Sequence, residues 1–186
     1  MGTASPPPDP ARAAPRRAML AVAAGSAALA GLGVAWWRQP VGPDASASAL
    51  APLWAMKVTH PDGSDFALQS LRGQPLLINF WATWCAPCVR EMPEIDHFYR
   101  EFSPRGWQVL GLAIDSAAPV NAFLARVKVG FPIGLAGLEG MDLLHTLGNS
   151  QGGLPFTLMV AADGRIAQRK IGETRFDELA GWARQA

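Results

Sequence analysis

With 186 residues, the chain is long enough for one globular domain of ordinary size together with an additional segment. Its 16 basic and 15 acidic residues nearly cancel, which argues against a protein that binds nucleic acid through a basic surface. Apolar residues make up 49% of the chain, enough for a core, and two cysteines are too few for a disulfide-rich scaffold.

The N-terminal region has two parts of different composition. Residues 1–17 contain five prolines and three arginines without apolar periodicity, which predicts a disordered tail. Residues 18–37 carry no charge over 20 residues, a length that spans roughly 30 Å as a helix and matches the hydrocarbon thickness of a bilayer. We therefore predict one transmembrane helix at 18–37.

The arginines around this segment predict its orientation. Arg12, Arg16 and Arg17 precede it and only Arg38 follows, so the positive-inside rule places the tail in the cytoplasm and the remainder outside. The small residues at 28–30 also fit a signal-peptide cleavage site, which would release a soluble protein. The apolar run continues for seven residues beyond Ala30, which favours an uncleaved anchor.

Residues 38–53 are rich in Pro, Ala and Ser and predict a linker. From residue 54 to residue 186 the pattern is that of a globular domain. Two short strands, 54–58 and 65–71, are expected on either side of a Pro-Asp-Gly turn.

Apolar runs and helical periodicity then alternate along the rest of the domain. Strands are predicted at 75–82 and 107–114, a short extended piece at 131–135, a hairpin at 156–171, and helices after the cysteines and at 118–128, 141–147 and 176–185. This order predicts an α/β fold with a mixed central sheet flanked by helices.

The only cysteines, Cys85 and Cys88, form a Cys-x-x-Cys pair within the segment "FWATWCAPC". Such a pair is compatible with half of a zinc site, a structural disulfide or a redox centre. The histidines, His60, His97 and His145, are far apart in sequence and lack the spacing of zinc ligands, which disfavours structural zinc.

The position of the pair favours redox chemistry. Cys85 falls where a buried strand meets a helix, so the unpaired N–H groups of the helix start should stabilise its thiolate and lower its pKa. Cys88 follows on the same turn, where it can attack a mixed disulfide at Cys85. Pro87 is tolerated there because the first turn has no internal partner for its missing N–H. We expect Cys85 to be the exposed nucleophile.

The segments "INFWATWCAPC" and "GGLPFTLMV" resemble the thioredoxin superfamily over residues 54–186. The segment "CAPCVREMP" is most similar to its membrane-anchored bacterial branch, the TlpA/ResA-type thiol:disulfide oxidoreductases. That branch has the pattern Cys-x-x-Cys-x-x-Glu-x-Pro, which Cys85, Cys88, Glu91 and Pro93 match.

The resemblance implies a thioredoxin-like fold and a protein-disulfide reductase facing the periplasm from the bacterial inner membrane. It implies that Pro155, preceded by Leu154, is a cis-proline facing the disulfide, and that Trp84, Ala86 and Pro87 surround the site. No organic cofactor and no metal are expected, since the dithiol is the redox group. The implied partners are cysteine-containing extracytoplasmic proteins, such as apocytochromes c or metal-site proteins, and a membrane electron donor.

Two positions depart from the superfamily pattern. Cytosolic thioredoxins carry a buried aspartate where this chain has Asn79. An amide cannot exchange protons, so we expect Glu91 or water to transfer the proton instead. Glu91 also has a simpler reading as a solvated helix residue. Leu154 replaces the polar residue often found before the proline. Of the tryptophans, we expect Trp81 in the core and Trp84 at the surface beside Cys85.

Two other functions compete with the reductase. A copper chaperone would hold the metal with both thiolates and a distant histidine, for which His145 is the candidate. A thiol peroxidase of this superfamily would need a Pro-x-x-x-Thr-x-x-Cys setting, which Thr83-Trp84-Cys85 does not match. Ala86 and Pro87 carry no donor for a thiolate, so we expect a reducing potential.

Overall fold

The computed structural model describes Gly2 and residues 43–186, and a five-stranded mixed sheet is its centre. The strands are β1 (Leu76–Trp81), β2 (Gln108–Ala113), β3 (Ile133–Leu135), β4 (Phe156–Val160) and β5 (Ile166–Ile171). Their order across the sheet is β3-β2-β1-β4-β5. β1 pairs in parallel with β2, and β2 with β3, whereas β4 is antiparallel to both β1 and β5. The mixed sheet expected from the sequence is confirmed.

Five α-helices accompany the sheet within the described residues. They are α1 (Pro43–Ala55), α2 (Ala86–Phe102), α3 (Ala117–Arg126), α4 (Glu139–Thr146) and α5 (Phe176–Ala183). Helix α1 precedes β1, and the other four follow it. Short 3-10 helices lie at Leu68–Leu71 and Ser103–Arg105. All four helices predicted from the cysteines onward are present at nearly the expected bounds.

The sheet separates two hydrophobic clusters because side chains alternate along its strands. In β1 all six residues are buried, as expected of a strand covered on both faces. Ile78 and Phe80 belong to one cluster, together with residues of α1 and α4. Leu77 and Trp81 belong to the other, together with residues of α2, α3 and α5. β1 is thus held from both sides, and its carboxyl end leads directly to the cysteines.

The N-terminal part of the domain differs from the expectation. Helix α1 occupies residues that were predicted as the end of the 38–53 linker and the start of a strand. Leu50 and Leu53, three residues apart on this helix, are almost completely buried in the first cluster. The Ser46 hydroxyl accepts a hydrogen bond of 3.1 Å from the backbone N–H of Ile166. Burial of this apolar face stabilises a helix that the polar and alanine-rich composition obscured.

The predicted N-terminal strand pair is wrong. Within residues 43–186 the segment after α1 forms only isolated bridges, in which Thr59 pairs with Asp65 and with Leu135. Leu68 and Leu71 lie in the 3-10 turn and point into the core. Thr59 therefore extends the edge of the sheet beside β3, where a two-stranded hairpin was expected.

The predicted tail at 1–17, apart from Gly2, and the predicted anchor at 18–37 lie outside the described residues. Within the part of the chain that the structure describes, no helix has the length and apolar character needed to cross a membrane.

Candidate active site

The two cysteines lie where β1 passes into α2. Cys85 has an extended backbone conformation and caps the N-terminus of the helix, which begins at Ala86 and contains Pro87 in its first turn. Its Sγ atom accepts a hydrogen bond of 3.3 Å from the backbone N–H of Cys88. The sulfur thus takes the place that a Ser or Asp oxygen takes in an ordinary N-cap. The predicted strand–helix junction is confirmed.

The cysteines form a disulfide with an S–S distance of 2.04 Å and a Cα–Cα distance of 5.3 Å. Cys85 is 7% exposed and Cys88 is fully buried. Cys85 is therefore the more accessible residue of the pair, but it is buried in the disulfide form, whereas the sequence predicted an exposed residue.

Glu91 lies one turn beyond Cys88 on α2 and is fully buried. Its Oε2 atom accepts two hydrogen bonds from Thr174, one from the backbone N–H at 2.7 Å and one from the hydroxyl at 2.8 Å. Its Oε1 atom accepts a hydrogen bond of 2.7 Å from the Asn79 amide. The reading of Glu91 as a solvated surface residue is therefore wrong.

Burial raises the pKa of Glu91 above its ordinary value, and the hydrogen bonds from Thr174 and Asn79 offset part of that rise. The adjacent charge of Glu173 acts in the same direction as burial. A buried carboxyl group with a raised pKa, three residues from Cys88, has the character of groups that exchange protons at functional sites.

Asn79 connects Glu91 to the sheet. Besides its bond to Glu91, its amide donates a hydrogen bond of 3.0 Å to the Thr157 hydroxyl on β4. Its Oδ1 atom has no hydrogen-bond partner among the described residues. Rotation of the amide by about 180° would place this oxygen as an acceptor for a protonated Glu91. Asn79 can therefore form a hydrogen bond with the carboxyl group in either protonation state.

The Leu154–Pro155 peptide bond is cis, as the resemblance implies. Phe156, the next residue, begins β4 and pairs with Phe80 near the carboxyl end of β1, which places the proline at the same end of the sheet as the cysteines. Asn149 shapes the loop before it, since its side chain donates to the Gly153 carbonyl at 2.7 Å and accepts from the Gly153 N–H at 3.2 Å.

The tryptophans lie where they were expected. Trp81 is fully buried, and Trp84 is 68% exposed immediately before Cys85. Thr83 holds this turn in place, because both its backbone N–H and its hydroxyl donate to Asp115, at 3.1 and 2.6 Å. These bonds hold the backbone next to Trp84, which lies at the surface immediately before Cys85.

The candidate copper ligand outside the cysteine pair is His145, which is distant from the pair in the sequence. His145 is an exposed residue of α4. Among the residues that the structure describes, no three His, Cys, Asp or Glu side chains are grouped as a metal site would require.

Comparison with known proteins identifies the family. The Redoxin family model matches residues 41–181. The chain belongs to the Redoxin family. It is 30% identical over 129 residues to the thiol-disulfide oxidoreductase ResA of Bacillus thuringiensis strain Al Hakam, covering 69% of this chain and 72% of that protein. The same identity and coverage hold for ResA of Bacillus anthracis.

A solved structure is also similar to this chain. The thioredoxin-related protein from Neisseria meningitidis serogroup B is 30% identical and superposes with a TM-score of 0.63, covering 69% of this chain and 97% of that one. This Redoxin-family member is thus a ResA-type thiol-disulfide oxidoreductase with the thioredoxin-like fold, and the resemblance seen in the sequence is confirmed.

Three residues of the candidate active site were not predicted from the sequence. Thr174 lies 83 residues beyond Glu91, Thr157 lies 78 residues beyond Asn79, and Asp115 lies 32 residues beyond Thr83. No local pattern connects such pairs. The single available signal was the polar Thr157 within the apolar run "FTLMV", since a polar residue in a buried strand needs a partner.

Proposed function

We propose that this enzyme is a reductase of disulfides in cysteine-containing proteins outside the cytoplasm. The observation that carries the proposal is the first turn of α2, where Ala86 and Pro87 separate the cysteines. Neither side chain can donate a hydrogen bond to a thiolate, so only backbone N–H groups support it. Strong stabilisation of the thiolate favours the reduced form and makes a protein a strong oxidant. Weak stabilisation of the Cys85 thiolate therefore favours a reducing potential.

In the reductive direction the dithiol form of the enzyme attacks a substrate disulfide. The Cys85 thiolate bonds to one substrate sulfur, and the other substrate sulfur leaves as a thiolate that takes up a proton. Cys88 then loses its proton and attacks the Cys85 sulfur, which releases the second substrate thiol and forms the Cys85–Cys88 disulfide. Two electrons pass from the enzyme to the substrate.

Glu91 takes part in the proton transfers of this reaction. Its carboxyl group lies on the same face of α2 as Cys88, three residues further on, and its raised pKa allows it to accept the Cys88 proton. The side chains of Asn79 and Thr174 hold the carboxyl group in position. Pro155 and Leu154 border the substrate side of the disulfide.

The cellular setting follows from residues 18–37, proposed as a single anchor in the bacterial inner membrane with the domain in the periplasm. Apocytochromes c or metal-site proteins are proposed as substrates, and a membrane electron donor as the source of electrons. A reporter that is active only in the cytoplasm, fused after residue 186, should be silent. Strong reporter activity would contradict this topology.

Redox equilibration with glutathione tests the direction of the reaction. We expect a potential near the roughly −270 mV of thioredoxin and far from the roughly −120 mV of the strong periplasmic oxidant. These values differ by about 7 kcal/mol for two electrons, so the measurement separates them clearly. A potential above about −180 mV would rule out the reductase.

A further inference from the structure

The loop between β5 and α5, residues 172–175, is bonded to two parts of the active site. The backbone N–H of Gly172 donates a hydrogen bond of 2.8 Å to the Pro155 carbonyl. The backbone N–H and the hydroxyl of Thr174 both donate to the Glu91 carboxyl group. A displacement of this loop would therefore move the donors that hold the carboxyl group.

An ion pair at the surface joins the same loop to helix α2. The Arg90 guanidinium donates two hydrogen bonds to the Glu173 Oε2 atom, from Nε at 3.1 Å and from Nη2 at 2.8 Å. Arg90 directly precedes Glu91 on the helix, and Glu173 directly precedes Thr174 in the loop. Two successive residues of α2 thus contact two successive residues of the loop, and the Glu91–Thr174 pair is buried beneath the ion pair.

The charge of Glu173 acts on Glu91. Burial raises the pKa of Glu91, and the negative charge of Glu173 adds to that rise. Strands β1 and β4 carry no charged side chain. The charged side chains of the other elements around Glu91 are Arg90 and Glu94 on α2, Lys170 on β5, Glu173 and Arg175 in the loop, and Asp177 and Glu178 on α5. Lys170 pairs with Glu178, and the Glu94 carboxylate accepts a hydrogen bond of 2.9 Å from the backbone N–H of Phe176.

We propose that Arg90 and Glu173 position the Glu91 carboxyl group, by fixing the loop so that Thr174 keeps both of its donors on that group. The inference rests on the proposed function, in which Glu91 accepts the Cys88 proton. The positive charge of Arg90 also opposes the effect of the Glu173 charge on Glu91. Arg90 and Glu173 are positioning residues, because they act on the reaction through Thr174 and Glu91.

Carbon-13 NMR titration of the Glu91 side chain in the full-length oxidised protein measures its ionisation directly, and Glu91→Gln assigns the signal. Arg90→Gln removes the positive charge and releases the loop, and both changes disfavour the Glu91 carboxylate. We expect the ratio of ionised to protonated Glu91 at a fixed pH to fall about threefold. Arg90→Lys keeps the charge beside Glu173 and should recover most of the original ratio.

Arg105→Gln is the matched control. Arg105 pairs with Glu101 near the other end of α2, and its side chain is 58% exposed, against 60% for Arg90. This variant changes the net charge equally and should leave the ionisation of Glu91 unchanged. Thr174→Val tests the route, since it removes the hydroxyl donor. If Arg90 acts through Thr174, Arg90→Gln should have a smaller effect when Thr174→Val is already present.

An unchanged Glu91 titration in Arg90→Gln would overturn the proposal. So would an equal fall in Arg105→Gln, or effects of Arg90→Gln and Thr174→Val that simply add. In the reduced protein, weaker ionisation of Glu91 should move the pH profile of iodoacetamide labelling toward lower pH. An altered titration with an unchanged labelling profile would support the positioning of Glu91 and contradict its proposed role in proton transfer. An altered titration with a potential above about −180 mV would support the positioning and contradict the reductase.

Discussion

Asn79 on β1 donates a hydrogen bond of 2.7 Å to the carboxylate of Glu91 on α2. The buried acid of this pair thus lies on the helix, and the strand supplies its hydrogen-bond partner. Both residues are completely buried. Because an amide can present either its N–H or its oxygen, this pair tolerates both the charged and the neutral form of Glu91. Four predictions follow from these contacts and from the packing around them.

The raised pKa of Glu91 predicts how stability depends on pH. The folded protein binds this proton more tightly than the unfolded chain, in which the pKa has its ordinary value of 4.5. The Glu91 contribution is therefore most favourable below pH 4.5 and declines as the pH rises through the folded-state pKa. The decline cannot exceed about 1.4 kcal/mol per pH unit for one proton.

Urea unfolding of the oxidised protein between pH 4 and 8 measures this effect. The free energy of unfolding of Glu91→Gln should rise relative to that of the unaltered protein as the pH increases, because the amide does not ionise. Glu101→Gln removes an exposed carboxylate of the same helix, one that pairs with Arg105, and serves as the comparison for the loss of a carboxylate at the surface. A constant difference between Glu91→Gln and the unaltered protein would mean that Glu91 does not titrate in this range.

Glu91→Gln should also change the reactivity of the thiols. An ionised carboxylate near a cysteine disfavours the thiolate, so its removal should lower the thiol pKa and move the pH profile of alkylation toward lower pH. The rate of iodoacetamide labelling of the reduced protein gives that profile. Glu101→Gln again provides the comparison, and coincident profiles for all three proteins would remove Glu91 from the thiol chemistry.

The two cysteines should differ in their behaviour when mutated. Cys88→Ser leaves the more accessible sulfur without its resolving partner, so mixed disulfides with substrates should accumulate on Cys85. Cys85→Ser should accumulate few, since the remaining sulfur of Cys88 is buried. Mass spectrometry of the trapped species identifies both the cysteine and its substrates. Greater trapping in Cys85→Ser would reverse the assigned roles.

Helix α1 should contribute to the stability of the domain. Leu53→Ala removes a completely buried side chain and should lower the free energy of unfolding by about 2–5 kcal/mol. Leu138→Ala makes the same chemical change at a residue that is 84% exposed and should alter it by less than about 0.5 kcal/mol. Denaturant unfolding compares the two. A small effect of Leu53→Ala would mean that α1 is not part of the core.

The order of elements from β1 onward was readable from the sequence because each depends on a local pattern. The run "LLINFW" is uniformly apolar and becomes a strand buried on both faces. Ile95, Phe98 and Phe102 recur at helical spacing and become the buried face of α2. The cysteine pair and the surface position of Trp84 were likewise expected from the short motif around them, whereas the cis-proline was implied by the family resemblance.

Tertiary structure alone decided which distant residues meet. The sequence determined that Glu91 lies one turn beyond Cys88, but its burial depends on Thr174 and Asn79, which approach it from another loop and from the sheet. Helix α1 was hidden for the same reason, because its few apolar residues form a helix only against a core that the rest of the chain supplies. Local spacing fixes the geometry of one element, whereas desolvation and hydrogen bonding depend on every element that packs against it.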